Sequence, residues 1–256
     1  MEFFRKLLQL PEVASAHGSG LDDLQIYVHM LMAALFVGWG AFFIYAVLKH
    51  RKSVNPKADY VGTRSHFSTY AEVGVAVIEG VLLLGFAVPM WAKAVGTGFP
   101  EEKDAVVIQI MGQQFAWNAH YAGPDGKWGK QDVQFASSTN PFGLDSNDAA
   151  AKDDVTCGRE GFVIPVNKEI ICKISSMDVI HCFKVPKMRV TQDAIPGMSI
   201  TAHFKPTKVG DYSVTCAQLC GNLHSTMRGS FKVVEPAEYE KWFAEKAKSG
   251  GGGSLE

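Results

Sequence analysis

The sequence predicts a chain of mixed class, a pair of membrane-spanning helices followed by an all-β domain. Three observations carry that expectation. Two long stretches before residue 93 are almost free of charge, and a strongly basic loop separates them. After them the pattern changes to short β-type runs at close intervals, divided by turn residues, which is how a β-sandwich or barrel reads. With 256 residues, 47% hydrophobic and 20% charged, the chain could form one large domain or a smaller one plus spans. The clustering of the apolar residues favours the second.

The first segment, 1–23, opens on Arg5 and Lys6 and reaches a small-residue stretch from Val13 to Ala16. That outline is close to a cleaved leader, but its apolar core is only Leu7-Leu8-Gln9-Leu10, broken by Pro11. A working leader needs a longer core, so an amphipathic surface segment is expected. From Leu24 to Leu48 there is no Asp, Glu, Lys or Arg, a run long enough to span a bilayer with some tilt. Met30, Gly38, Trp39 and Tyr45 suit a membrane helix, and His29 is expected to pack at its interface rather than bind metal. The loop 49–71 carries Lys49, His50, Arg51, Lys52, Lys57 and Arg64. The positive-inside rule makes that loop cytoplasmic and leaves both the N-terminal segment and everything after the second span outside. The second span is expected over 72–92, with Val81 to Leu84 at its centre, closing an antiparallel hairpin over 24–95. Glu72 sits at its cytoplasmic end, where a charge reaches water. Glu79 lies deeper, where an isolated charge costs roughly 2.5–3.5 kcal/mol, so it is expected to face a partner subunit and not lipid.

The domain expected over 96–249 begins with a strand at Val106–Ile110 and the aromatic segment 112–121, read as a half-buried strand. Residues 122–155 are turn-rich and acidic and read as a solvated surface insertion. Strands are then expected at 161–166, 169–175, 200–204, 210–216 and 229–234, and a terminal helix at 236–248. The tail 250–256, Gly-Gly-Gly-Gly-Ser-Leu-Glu, reads as an engineered flexible linker and is set aside. No internal repeat is evident. A formal net charge of -1 argues against a polyanion-binding protein, so no nucleic-acid partner is expected.

The most informative stretch is Cys216-Ala217-Gln218-Leu219-Cys220-Gly221-Asn222-Leu223-His224-Ser225-Thr226-Met227. It sets two thiols, an imidazole and a thioether in one short loop. Thiolate and thioether are soft donors, and imidazole suits copper as well as zinc, so the set favours copper over a hard cation. Zinc is the rival, but structural zinc loops use closer Cys spacings and no Met. Two Cys in one loop are enough to bridge two copper ions. A second His is available at His181, in Asp178-Val179-Ile180-His181, just after a strand-like run. The remaining thiols, Cys157, Cys172 and Cys182, allow at most one disulfide.

Ser176-Met177-Asp178-Val179-Ile180-His181 followed by Cys-x-Gln-x-Cys-Gly-x-x-His-x-x-Met resembles the binuclear copper (CuA) site of cytochrome c oxidase subunit II. The resemblance covers nearly the whole chain. It implies a two-helix hairpin ahead of a cupredoxin-like Greek-key β-sandwich, in a bacterial inner membrane with the copper domain on the periplasmic, outer face. The implied ligands are His181, Cys216, the main-chain oxygen of Gln218, Cys220, His224 and Met227, with both Cys sulfurs bridging two coppers. The aromatic segment implies electron acceptance at Phe115, which stands where the family has Trp, with Trp117 at a more general family position. Glu72 matches a glutamate at the mouth of a proton channel of the catalytic subunit, and Glu79 is a second proton-path candidate. Asp178 and the loop from Asp193 to Gly197 match the junction with subunit I. Gln218 replaces the family's usual Glu, whose carboxylate helps bind magnesium at that junction. A weak or absent magnesium site is therefore expected.

The implied function is the electron-accepting subunit of a respiratory heme–copper terminal oxidase. It would take electrons from a c-type cytochrome or equivalent donor and pass them to heme in subunit I, with subunit III a further expected partner. Oxygen reduction and the hemes belong to the partner, since no heme axial-ligand arrangement occurs in the spans and no Cys-x-x-Cys-His follows the sandwich. Three other classes of protein share parts of this pattern. A quinol-oxidase subunit lacks the copper ligands, and a nitrous-oxide-reductase-type domain would accompany a soluble propeller. A membrane-anchored copper electron carrier outside any oxidase remains the alternative, to be separated by metal stoichiometry.

Overall fold

The computed structural model describes residues 1–57, 60–62, 64–93 and 98–249. The tail 250–256 and the expected boundary at 95/96 lie outside the described residues. The chain divides into two compact units. One is Met1–Leu10 with Gly20–Lys93, and the other is Pro11–Ser19 with the chain beyond Lys93.

The first unit holds α1, Glu2–Leu7, and all but the first two residues of α2, Gly18–His50. The latter starts before the expected Leu24 because the two carboxylates that ended the apolar run have a partner. Arg5 Nη2 lies 2.8 Å from Asp23 Oδ1, and its Nε lies 3.8 Å from Asp22 Oδ2. The second long helix also starts earlier than expected. It comprises α3, Phe67–Val81, a π-helical stretch at Leu82–Ala87 and α4, Val88–Ala92. Pro89 has no N–H to give the carbonyl four residues back, and the widened turn just before it accommodates that gap. Both long helices are long and apolar enough to cross a membrane. At 1.5 Å per residue they run roughly 50 and 40 Å, against a hydrocarbon core of about 30 Å. Tyr27 meets Phe86 edge-on at 6.0 Å, while Phe36 and Leu84 are largely exposed, as side chains facing lipid would be.

Among its described residues the second unit holds two five-stranded sheets. The first has β1 (Ala105–Gln113), β2 (Ala116–Tyr121), β3 (Val155–Cys157), β5 (Glu169–Ser176) and β8 (Ile200–Phe204), in the order β3-β2-β1-β5-β8. The second has β4 (Phe162–Pro165), β6 (His181–Val185), β7 (Val190–Ala194), β9 (Gly210–Cys216) and β10 (Arg228–Val234), in the order β4-β10-β9-β6-β7. The β1–β5 and β4–β10 pairs are parallel, and the other neighbours are antiparallel. Alternation does the work in β1, where Ile108, Ile110 and Gly112 point inward. The core between the sheets includes Ile108, Trp117, Phe183, Val214 and Phe231. The terminal helix α5, Pro236–Lys248, sets Trp242 and Phe243 against Tyr121.

Four readings of the sequence need correction. The aromatic segment is not one strand, because the chain turns at Gln114 and Phe115 between β1 and β2. Strands β3, β6 and β7 were not expected, and they complete the two sheets. The segment before residue 24 is not a single surface element. After α1, Ala14 is buried in the core of the β unit, and its N–H donates to Lys187 O at 2.9 Å. Finally, 122–155 is not simply a solvated loop. Every residue of β2 is buried because this segment covers its outer face, with Trp128 and Phe142 against His120. Asp154, fully buried, accepts from His120 Nε2 at 2.7 Å and from the N–H groups of Gly123 and Gly129. Those bonds satisfy a carboxylate that would otherwise be costly to bury.

All five cysteines are free thiols. Burial pushes Cys157 and Cys172 up to about 12, so both behave as small core hydrophobes.

Candidate metal centre

Sheet order places the ligands. Strands β6 and β9 are antiparallel neighbours, with Phe183 opposite Cys216, so the start of one lies against the end of the other. His181 opens β6 and Cys216 closes β9. His181 is thus the first residue of a strand. The chain from Ala217 to Met227 links β9 to its antiparallel partner β10. Two bonds fix its ends: Ala217 N–H donates to Cys182 O at 3.0 Å and Cys216 N–H to Met227 O at 3.3 Å.

The six expected donors converge. The Cys216 and Cys220 sulfurs are 3.8 Å apart. Cys216 Sγ lies 3.9 Å from His181 Nδ1 and 3.1 Å from Gln218 O. Cys220 Sγ lies 3.5 Å from His224 Nδ1 and 3.6 Å from Met227 Sδ. His181, Cys220 and Met227 are buried, whereas His224 and Cys216 are half-buried. Two central sulfurs, each flanked by one imidazole and one further donor, make a nearly symmetric set. It fits a soft binuclear ion pair better than a single tetrahedral zinc, which would leave donors over.

The electrostatics prepare one ring face. Asp178 is held below the usual carboxylate range. Burial opposes ionisation, but the N–H of Gln114, the His181 ring and the N–H of Val179 outweigh it. As an anion it can only accept, so His181 Nε2, 2.8 Å from Asp178 Oδ1, carries the ring proton and Nδ1 is left free for metal. Cys220 is pushed up to about 11 by burial and by the neighbouring Cys216. Its proton must be displaced when metal binds.

Packing holds the same ring from behind. Trp117 meets His181 edge-on at 5.9 Å and Phe183 at 5.4 Å. A Cβ on Gly112 would lie 3.0 Å from His181 Cδ2 and 3.1 Å from Trp117 Cζ3. Trp117 is only 4% exposed, which removes it as a surface contact for a donor protein. Phe115 is half-buried, and its ring would be 3.1 Å from a Cβ on Gly221 in the cysteine loop.

The other expected residues fall in different places. Gln218 and Asp193 are exposed, and Asp193 stands opposite Cys182 in the β6–β7 register. Glu72 and Glu79 are both exposed on α3 in the first unit. Asp178, expected at a subunit junction, also has the internal task just described. Its spacing of three from His181 was a usable signal. Gln114 was missed altogether, and nothing local in the sequence marks it.

A membrane-anchored chain whose β-sandwich presents this donor loop is a protein of the cupredoxin-like class. A family profile described as "Cytochrome C oxidase subunit II, periplasmic domain" matches residues 106–234. The "Alternative cytochrome c oxidase subunit 2" of Bradyrhizobium diazoefficiens is 30% identical over 88% of this chain and 80% of its own length. The "Cytochrome c oxidase subunit 2" of Synechocystis is 26% identical over 93% of this chain and 76% of its own. Among solved structures, the periplasmic domain of subunit II of cytochrome oxidase (CoxB) of Bradyrhizobium japonicum matches at 30% identity and TM-score 0.42, over 59% of this chain and 97% of that one. The chain belongs to the cytochrome c oxidase subunit II family. It is a subunit of a heme–copper terminal oxidase, an oxidoreductase complex, and the other oxidase subunits are its partners.

Proposed function

We propose that this chain is the electron-accepting subunit of its oxidase, taking electrons from a c-type cytochrome or equivalent donor at a binuclear copper centre and delivering them to heme in subunit I. The observation that carries this reading is the convergence of six soft and borderline donors on one loop and one strand end. Cys216 and Cys220 would bridge two coppers. His181, His224, Met227 and the main-chain oxygen of Gln218 would complete the set. When bound, such a pair would supply a one-electron store.

The chain's own residues prepare that chemistry. Asp178 fixes the tautomer of His181, and Trp117 with Gly112 limits the tilt of its ring. The short ties at Ala217 and Cys216 hold the loop ends to the sheet. Donors fixed by a rigid scaffold cannot relax toward the different geometries the two oxidation states would otherwise choose. Phe115, half-buried over the loop, is the residue proposed to meet the donor protein.

The rest of the reading follows the family. The copper domain lies on the periplasmic face of a bacterial inner membrane. Glu72 and Glu79 serve the proton path, while Asp178 and Asp193 lie at the junction with subunit I, and subunit III is a further partner. The magnesium site beside Gln218 is weak or absent, because an amide oxygen is a poor ligand for a hard dication. Purification of the intact complex, with its chains identified and copper counted per copy of this chain, tests the proposal. Two coppers and a co-purifying heme subunit are expected. A single copper, or a chain that purifies alone with full metal, would count against it.

A further inference from the structure

One surface residue touches both halves of the candidate centre without being a ligand. Gln114 sits at the turn between β1 and β2. Its side-chain Nε2 donates to the carbonyl of Cys220 at 2.5 Å. Its main-chain N–H donates to Asp178 Oδ2 at 2.7 Å, and Asp178 Oδ1 accepts from His181. A continuous chain of hydrogen bonds therefore runs from the His181 ring through Asp178 and Gln114 to the peptide of Cys220. These residues come from three separate segments of sequence.

We infer that Gln114 is a positioning residue that couples the two ligand-bearing segments, so that the orientation of His181 and that of the Cys220 peptide are set by one turn. This rests on the metal reading above. The close approach has been made possible on the loop side. Gly221 has φ +135°, and a Cβ there would lie 2.8 Å from Gln114 Nε2 and 3.1 Å from the Phe115 ring. A larger residue would push the turn away from the loop. The loop carbonyl that Gln114 takes belongs to a cysteine whose sulfur faces both His224 and Met227. Rotation of that peptide would move the sulfur against both donors.

The test uses the full chain in detergent, loaded with copper, and two variants. Gln114→Met keeps the length and removes the donor, while Gln114→Glu keeps the shape and turns an acceptor toward the carbonyl. Because Gln114 is exposed, neither replaces a core residue. Both variants are expected to lose copper to a strong chelator about fivefold faster than wild type, equivalent to one hydrogen bond of about 1 kcal/mol. Both should also shift the visible absorption and the copper hyperfine splittings with no donor protein present. Wild-type release rates and spectra in both variants overturn the inference and leave the metal reading standing. A wild-type chain that takes up no copper overturns the metal reading itself. A defect that appears only on adding a c-type cytochrome places Gln114 at the donor contact and overturns the positioning role.

Discussion

Replacing Gly112 by Ala tests whether packing behind His181 governs the candidate centre. Gly112 lies in β1, in the opposite sheet from His181, and is no metal ligand. Its backbone is ordinary, so an alanine meets no torsional penalty there. What it meets is the imidazole, at 3.0 Å and 3.3 Å from the new Cβ, and the Trp117 ring at 3.1 Å. Neither ring can swing away freely, since His181 is tied to Asp178 and Trp117 is wedged against Phe183. Overpacking of this kind costs roughly 1–3 kcal/mol. In a unit of this size that lowers the melting temperature by roughly 2–4 °C per kcal/mol. Thermal unfolding of the metal-free chain should therefore show the loss, and the copper-loaded chain should show an altered spectrum. Gly38→Ala is the control, because nothing lies within 4 Å of a Cβ placed there. An unchanged melting temperature together with an unchanged spectrum in Gly112→Ala would refute the argument that this contact sets the ring.

Three further outcomes are expected. Phe115→Leu should leave copper content full but slow reduction by a c-type cytochrome roughly fivefold to tenfold, the loss of one aromatic contact of about 1–1.4 kcal/mol; stopped-flow absorbance reads the rate, and wild-type kinetics would reduce Phe115 to a structural role. Cells grown on manganese should yield a complex with no tightly held manganese resonance, and Gln218→Glu should create one without altering copper; a stoichiometric signal in the unsubstituted complex would contradict this. Native alkylation of the metal-free chain near pH 8, followed by mass spectrometry, should mark the half-buried Cys216 first. Cys157 and Cys172, buried and pushed up to about 12, should react only after unfolding, since the thiolate is the reactive form.

The parts of this chain that could be read from sequence are those whose partners are close along it. The loop from Cys216 to Met227 carries five of its six donors within twelve positions, so its chemistry was visible before its shape. The strands at 200–204 and 210–216 and the helix at 236–248 carry strong local patterns, and the structure has them at those limits. By contrast, β6 is a short run containing an exposed Lys184, and β7 has polar residues at three of its five positions. Their strand character comes from pairing with each other and, for β6, with β9. Buried Asp154 looked like one more acid in a solvated loop because its partner His120 is 34 positions away. Gln114 and Cys220, 106 positions apart, meet only because a turn of one sheet reaches a loop of the other. Tertiary proximity of that kind leaves no periodic trace.

The central claim is that Cys216 and Cys220 jointly hold two coppers as one electronic unit. Electron paramagnetic resonance of the copper-loaded chain, with Cys216→Ser and Cys220→Ser alongside, addresses it most directly. The unsubstituted chain should bind two coppers and show the hyperfine pattern of one unpaired electron shared equally by two copper nuclei. Each serine variant should lose that pattern, because a hydroxyl is a hard, weak donor that cannot bridge two soft ions. A single copper with a localised signal in the unsubstituted chain, or an intact shared-electron signal in either serine variant, would contradict the account.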